Sequence, residues 1–242
     1  MQHVSPTWRS QMDFGKAFSF VFEDKDWLKK LAIAGIIVLI PIVNLAVLGW
    51  MLEIGRRVAG GEAEVLPDWD DFGTYFVRGL KGLVVALVYA LPLIILEACS
   101  LTLSMMGQNS NNLSTAATLV NLLIGCVVFI YSIFMGFVMP AALMRFTMAA
   151  DSISEGLAFG KAISMVKDNL GAYVIVFLGG LVAGLVAPLG LIACLIGIII
   201  TYPYAAAVEG HLYGQAYAEA TGGIVTANST PPAPSAPADW NG

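Results

Sequence analysis

The sequence predicts an all-α integral membrane protein, a bundle of about six membrane helices. We expect three proline-broken hairpins, accompanied by short amphipathic helices at the membrane interface. Between Gly82 and Arg145 the only acidic or basic side chain is Glu97, and between Asp168 and Glu209 there is none. Apolar stretches of this length are typical of membrane spans, because a helix needs about 20 residues to cross the hydrocarbon. The composition agrees: 58% of the residues are hydrophobic, 12% are charged, and the mean hydropathy is +0.79.

The first predicted hairpin covers residues 28–57. Two basic pairs flank its apolar stretch, Lys29–Lys30 before it and Arg56–Arg57 after it. Because basic segments remain in the cytoplasm, both flanks belong on the inner side, and the chain turns back near Pro41–Asn44. Each arm is short for a membrane span unless the preceding segment, Phe14–Phe22, contributes to it. Because a single span would place one basic flank outside, we nevertheless favour a hairpin or a re-entrant pair over one long kinked span.

The second predicted hairpin covers residues 83–146, and the third covers residues 172–208. The uncharged loop Gly107–Asn112 marks the outer turn of the second hairpin, since it is the polar segment without basic residues. As one helix the third stretch would be roughly 55 Å long, well beyond the bilayer core, and Pro188 is the expected break. This topology places both termini in the cytoplasm.

A short pattern recurs before these apolar stretches. Phe14–Ser19 (FGKAFS) returns as Phe159–Ser164 (FGKAIS), and Phe72–Phe76 (FGTYF) is a weaker third copy. Each copy is followed by a stretch that contains a proline, which suggests an internal repeat of an interfacial helix and a membrane hairpin. The interfacial helices are predicted at about 13–24, 71–81 and 154–168.

The most distinctive motif is LPDWDDFG at residues 66–73, followed by VRGLKG and VYALP. The segment FGKAFSFVFEDKDW and the apolar run after it, which ends in LIP, form a second distinctive pattern. Together these motifs resemble a prokaryotic integral-membrane family known only as a domain of unknown function, DUF4013. The resemblance extends over roughly residues 10–215. It implies a fold and no mechanism.

Three carboxylates within LPDWDDFG, those of Asp68, Asp70 and Asp71, form a candidate site. Clustered oxygen ligands suit Mg²⁺ or Ca²⁺. The alternative, which we favour, is that one of these carboxylates caps the helix that follows, where acidic side chains complement the helix dipole. Trp69 and Tyr75 are then expected as aromatic anchors at the membrane interface.

Glu97 is the second candidate, because an ionisable side chain at membrane depth is costly and is often functional. It follows Pro92 by five residues, and Asn121 and Tyr131 on the returning helix are its possible hydrogen-bond partners. Three interpretations remain open: a proton relay or coupling group, an internal structural hydrogen bond, or a position near the outer head groups that reaches water.

Other chemistry finds little support in the sequence. The three cysteines lie in apolar runs without a CxxC spacing, and neither a nucleophile elbow nor a phosphate-binding loop is present. No histidine lies in a predicted span to ligate a cofactor. The basic residues do not form a surface typical of nucleic-acid binding. We therefore expect no enzymatic activity, no cofactor, no metal ion and no nucleic-acid partner.

Two further features concern packing and the chain end. Gly180 and Gly184 form a GxxxG pattern, which is expected to allow close helix packing within one chain or between chains. Residues 1–220 are expected to form the membrane domain. Residues 221–242, rich in Pro, Ala, Ser and Thr, are expected to be a disordered tail.

The leading functional hypothesis is an accessory or scaffold subunit of a membrane complex, in the cytoplasmic membrane of a bacterium or archaeon. Its expected partners are the lipid bilayer and another membrane protein or a second copy of the chain. The alternative is a small permease or lipid-handling transporter that uses Glu97 and the proline-broken helices. A third hypothesis is lipid or curvature sensing by the amphipathic segments Phe14–Phe22 and Phe159–Val166.

Overall fold

A computed structural model describes residues 12–107, 111–192 and 197–222, and within these residues the chain forms helices and no β-strand. The helices are α1 (Phe14–Ser19), α2 (Trp27–Val38), α3 (Leu45–Gly60), α4 (Phe72–Gly107), α5 (Asn111–Met148), α6 (Ile153–Gly156), α7 (Phe159–Asp168), α8 (Leu170–Val186), α9 (Leu189–Ile192) and α10 (Ile198–Ala220), with a 3₁₀ turn at Phe20–Glu23. The all-α prediction is confirmed.

Two helices, α4 with 36 residues and α5 with 38, are long and apolar enough to cross a membrane. They pack against each other, and together they cover the stretch of the second predicted hairpin. Both helices continue through an internal proline, Pro92 in α4 and Pro140 in α5. We expected a proline to break this pair of helices, and neither proline does. In an apolar setting a helix can pass through a proline when the freed carbonyl is satisfied locally. The predicted interfacial helix at 71–81 is the first part of α4.

The third candidate span is a bent pair. α7 and α8 together are apolar and long enough, but their axes differ by 98°. α8 ends at Val186, just before Pro188, where the sequence predicts a break. α10 is long but becomes polar from Glu209 onward, and it is not among the candidate spans. The described residues therefore contain two candidate spans, or three if the bent pair counts as one, rather than six.

The first predicted hairpin is interrupted where the sequence indicates. α2 ends at Val38 and α3 begins at Leu45, with Pro41 between them and Ile42 in the left-handed region at φ 72°. The two helices have 12 and 16 residues, short for crossing a bilayer. α2 packs mainly on α10, and α3 packs on α4 and α10, so the two arms contact other helices more than each other.

α3 approaches two neighbouring helices at glycines. A β-carbon on Gly49 would lie 1.8 Å from the carbonyl oxygen of Tyr75 in α4. On α10, a β-carbon on Gly210 would lie 2.3 Å from the carbonyl oxygen of Met51, and one on Gly214 would lie 2.4 Å from that of Gly55. These distances leave no room for a side chain. The backbones of α4 and α10 therefore pack directly on opposite sides of α3.

The GxxxG pattern that packs closely is thus Gly210–Gly214, which we did not predict from the sequence. A β-carbon on Gly180 or Gly184 would meet no atom of the described residues within 4 Å. Within the described part of the chain, this pair therefore does not show the close packing that we expected. A GxxxG pattern shows that close approach is possible, but a partner helix must also pass over it.

Gly210→Ala should destabilise the fold by about 1–3 kcal/mol, because its methyl group cannot fit beside Met51 without moving α3 and α10 apart. The measurement is the thermal unfolding temperature in detergent. Gly180→Ala is the matched control and should leave the unfolding temperature unchanged or slightly higher, since its methyl group enters open space. Equal effects of the two substitutions would contradict this packing.

Candidate functional site

The LPDWDDFG segment is part of the core on one side of the bundle. The indole N–H of Trp69 donates to the carbonyl of Lys30 at 3.0 Å, and that of Trp50 donates to the carbonyl of Pro67 at 3.0 Å. The two indoles stack with their centroids 5.5 Å apart, and Tyr75 packs edge-on against Trp69 at 5.9 Å. Trp69 and Tyr75 therefore join α2, α3 and α4.

The three carboxylates of this segment have different surroundings. Asp68 pairs with the Lys30 ammonium at 3.1 Å, and Lys30 also binds Asp24 at 2.7 Å and the Leu66 carbonyl at 2.9 Å. Burial opposes the charge of Lys30, but its hydrogen bonds to Asp24 and Asp68 raise the pKa of its ammonium. Asp70 and Asp71 are exposed.

The carboxylates of Asp70 and Asp71 make no hydrogen bond with a described residue, so neither shows the capping bond we expected. Only the backbone carbonyl of Asp71 is engaged at the start of α4, where it accepts from the N–H of Tyr75 at 3.2 Å. Across the described residues, no group of three or more His, Cys, Asp or Glu side chains is arranged to hold a metal ion. The contacts of the LPDWDDFG segment within the described residues thus hold α2, α3 and α4 together.

A buried carboxylate, Glu53 in α3, lies at the centre of an arginine cluster. It accepts from Arg56 at 2.8 and 2.5 Å and from Arg57 at 3.1 Å, and it also pairs with Arg78 of α4. Burial alone would raise the pKa of Glu53, but the hydrogen bonds and charges of these arginines outweigh it and hold the pKa at about 2. Glu53 therefore stays ionised and links α3 to α4.

The cluster continues into the turn after α5. Arg78 donates to Asp151 at 2.8 Å, and Asp151 has a left-handed backbone with φ 58°. Beside this turn, Arg145 pairs with Glu155, which also accepts from Lys161 of α7 at 2.9 Å. These ion pairs bring the charged ends of α3, α4, α5 and α7 to one end of the bundle.

Glu53→Gln should lower the free energy of unfolding by about 3–5 kcal/mol, because it removes the buried counter-charge that Arg56, Arg57 and Arg78 share. The measurement is denaturation in detergent monitored by circular dichroism. Glu62→Gln is the control. Glu62 pairs with the same Arg56 at 3.2 Å but is 41% exposed, so its loss should cost less than about 1 kcal/mol. Equal losses for the two variants would contradict the central role of Glu53.

The same carboxylate should make stability depend on pH in acid. Its pKa is lowered from an ordinary value of 4.5 to about 2 in the folded chain. Its contribution is therefore complete above pH 4.5 and is lost as the pH falls toward 2. The difference in unfolding temperature between the natural chain and Glu53→Gln should be constant from pH 7 to 5 and shrink below 4.5. A constant difference down to pH 2.5 would refute this assignment.

Glu97 lies on the outer part of α4, away from the bundle. It is exposed, and it makes no hydrogen bond or ion pair with any described residue. The partners expected for it are engaged elsewhere: the amide of Asn121 donates to Ser104 at 2.8 Å, and the hydroxyl of Tyr131 donates to the carbonyl of Tyr89 at 2.8 Å. In the described residues, Glu97 therefore makes neither of the hydrogen bonds that we considered, to Asn121 or to Tyr131.

Among the described residues, no other helix covers the outer part of the α4–α5 hairpin. From Leu91 to Met106 no residue is buried, and from Thr115 to Phe134 only Ala117 is buried. Exposed apolar side chains on both helices include Leu101, Leu122, Leu123, Phe129 and Ile130, each at least 64% exposed. Glu97 is the one acidic or basic side chain on this surface within the described residues, and we call residues 91–107 and 115–134 the outer hairpin.

A second acid, Glu209 of α10, lines a cavity of about 490 Å³. The walls come from α3, α5, α8 and α10 and are apolar apart from Glu209, Tyr213, Tyr202 and Asn44. The Glu209 carboxylate makes no hydrogen bond with a described residue, and burial raises its pKa to about 7. Burial and the neighbouring Glu209 also raise the pKa of Tyr213, so its phenol stays protonated.

His211 lies on a different side of α10 from Glu209, as their spacing predicts. It is 4% exposed, packs against Phe20 with ring centroids 4.4 Å apart and the rings tilted by 34°, and contacts Gln215 through Nδ1 at 3.1 Å. Burial lowers the pKa of His211 to about 4, so its ring is neutral at physiological pH. His211 therefore supplies no charge to pair with Glu209.

Glu53 and Glu209 are not among the candidate residues that the sequence predicts. Glu53 precedes two arginines by three and four residues, a spacing typical of an exposed helix flank, so nothing in the sequence separates it from a surface residue. Glu209 had a clearer signal, because it shares one face of α10 with Tyr202, Ala206 and Tyr213 at helical spacing. Once α10 is known to be a helix, a mostly apolar face that carries one acid indicates that this face lines a cavity.

These features define a helical membrane protein with two long candidate spans and a charged cluster at one end of the bundle. The chain matches the model of a family described as a protein of unknown function, DUF4013, over residues 33–201. The match covers more than half of the chain, and the chain therefore belongs to this family. No curated protein and no solved structure matches it.

Proposed function

We propose that this chain is a non-enzymatic accessory subunit of a membrane complex, and that the outer hairpin is the surface it presents to a partner protein. One observation carries the proposal. The outer hairpin stands clear of the bundle, and its single charged side chain, Glu97, is exposed there without a partner among the described residues.

Lipid chains suffice to cover the apolar side chains of the outer hairpin, but they do not satisfy Glu97. A carboxylate facing hydrocarbon costs at least several kcal/mol unless it is protonated or hydrogen-bonded. A polar or basic side chain on a neighbouring membrane helix would remove this cost. Helix association in lipid depends on such hydrogen bonds and on close packing, since no hydrophobic gain separates protein from lipid.

The alternative, a permease that uses Glu97 in a path between broken helices, has less support. Glu97 does not line the cavity beside α10, and α4 is continuous through Pro92. The exposed position of Glu97 fits a contact with another chain better than a path through this one.

We further infer that the basic end of the bundle faces the cytoplasm in a prokaryotic cytoplasmic membrane. The basic side chains of α3, α4, α5 and α7 meet there, as expected for a positive-inside protein. The amide of Gln215 near the end of α10 donates to the Asp13 carbonyl before α1 at 3.1 Å, which supports both termini on that side. α1, α4 and α7 each begin at the phenylalanine of the repeated pattern, which supports an internal repeat.

The test is to isolate the full chain from its native membrane with a C-terminal tag and to weigh the intact complex by native mass spectrometry. We expect one partner protein at fixed stoichiometry, or a second copy of the chain. Glu97→Leu should reduce its occupancy about tenfold or more, the effect of losing one buried charged contact.

Ser132→Ala is the control on the same hairpin. Its hydroxyl already donates to the Val128 carbonyl of its own helix at 2.8 Å, so the partner should remain bound. A lipid-bound monomer, or a partner that Glu97→Leu retains in full, would overturn the proposal. In the first case, flux measured in liposomes with the natural chain and Glu97→Gln would test the permease hypothesis.

A further inference from the structure

Two polar side chains of α10, those of Glu209 and Tyr213, line the cavity side by side. Glu209 and Tyr213 are four residues apart on α10, so both point to the same side of the helix and into the cavity. Tyr202 lies two turns earlier, about 10 Å along the axis, where the cavity approaches the α2–α3 break at Asn44. The carboxylate therefore lies deeper along α10 than the exposed Tyr202.

The other walls are apolar and uncharged. α3 contributes Leu45, Leu48 and Met51, α5 contributes Leu143, α8 contributes Ala183 and Gly184, and Ala187 follows directly after α8. The volume of about 490 Å³ lies within the range of small-molecule sites in proteins. Such walls suit an alkyl or isoprenoid chain, and the polar side chains that line the cavity away from the acid are Asn44 and Tyr202.

The acid determines which polar group can accompany that chain. No lysine, arginine or histidine lines the cavity among the described residues, so the chain supplies no counter-charge for Glu209. A head group that is purely anionic, such as a fatty-acid carboxylate or a phosphate without a neighbouring cation, would be repelled by the Glu209 carboxylate. A protonated amine would form a charged hydrogen bond to Glu209, and such bonds are stronger than neutral ones.

We propose that this cavity binds an amphiphile that carries a protonated amine, with its apolar chain along α3 and α8 and its amine on the Glu209 carboxylate. Two sources share this chemistry: an aminophospholipid of the bilayer and a free long-chain amine. The proposal does not rest on the accessory-subunit function, because the cavity is separate from the outer hairpin.

The structure offers a matched pair of substitutions to test the cavity. Gly184 lines it, and a β-carbon there meets no atom within 4 Å, so Gly184→Leu should fill the cavity without displacing a helix. Gly180, one turn earlier on α8, has equally open surroundings and does not line the cavity, so Gly180→Leu is the control.

The probes are a twelve-carbon amine, alcohol and carboxylic acid, each with a diazirine in its chain. The full chain is photolabelled at pH 8 in phosphatidylcholine nanodiscs, and labelled peptides are quantified by mass spectrometry. Labelling of the outer hairpin, near Leu122, reports the probe concentration in the bilayer. The ratio of label near Met51 and Gly184 to label near Leu122 then measures cavity binding, independent of membrane partitioning.

We expect this ratio for the amine to exceed that for the alcohol by about tenfold or more, the factor that one charged hydrogen bond supplies. Glu209→Gln should make this ratio equal for the amine and the alcohol. Gly184→Leu should remove the cavity label of all probes, and Gly180→Leu should leave every ratio unchanged. Equal ratios for amine and alcohol in the natural chain, or an amine preference that survives Glu209→Gln, would refute the proposal.

Two lipid additions distinguish the sources of the amine. If phosphatidylethanolamine displaces the amine probe and phosphatidylglycerol does not, the bound amine comes from a lipid head group. If neither lipid displaces the probe, a free long-chain amine is the ligand. Displacement by phosphatidylglycerol alone would overturn the charge assignment.

Discussion

The close approach of α3 to two neighbouring helices is the constraint on which the rest of the structure depends. Gly49 lets the backbone of α4 pack on one side, and Gly210 and Gly214 let the backbone of α10 pack on the other. In a bilayer the apolar surface gains little by leaving lipid, so dispersion between closely packed backbones contributes much of the association energy. A larger side chain at these glycines would separate all three helices.

This packing also fixes the charged end of the bundle. With α4 pressed against α3, Arg78 lies beside Glu53 and bridges it to Asp151, and Arg145 is held by Glu155. Both helices of the long hairpin are thereby anchored at one end. Removing a partner from a buried ion pair costs more than the pair contributes as a whole, so the cluster tolerates little variation. The outer hairpin is consequently the free end of an anchored pair of helices.

Local composition made the long helices predictable, because the apolar stretches are visible residue by residue. The breaks near Pro41 and Pro188 were predictable for the same reason. The number of spans was not, since α2 and α3 are apolar but short and α10 becomes polar halfway. Which glycines pack closely, and what role Glu53 has, depends on which helix lies opposite them. A local sequence pattern does not predict which helix that is. Gly180 and Gly184 carry the same motif as Gly210 and Gly214, yet none of the described helices packs closely on them.

Three acids in largely apolar surroundings differ in how their charge is compensated. Glu53 has three arginines and a pKa of about 2, so its charge is satisfied within the chain and its role is structural. Glu209 and Glu97 have no such partner among the described residues. Glu209 lines a partly open cavity beside α10, where we propose a small ligand, whereas Glu97 lies on the exposed outer hairpin, where we propose a partner protein. The two proposals therefore differ in the surface around the acid, although the chemistry of the two side chains is the same.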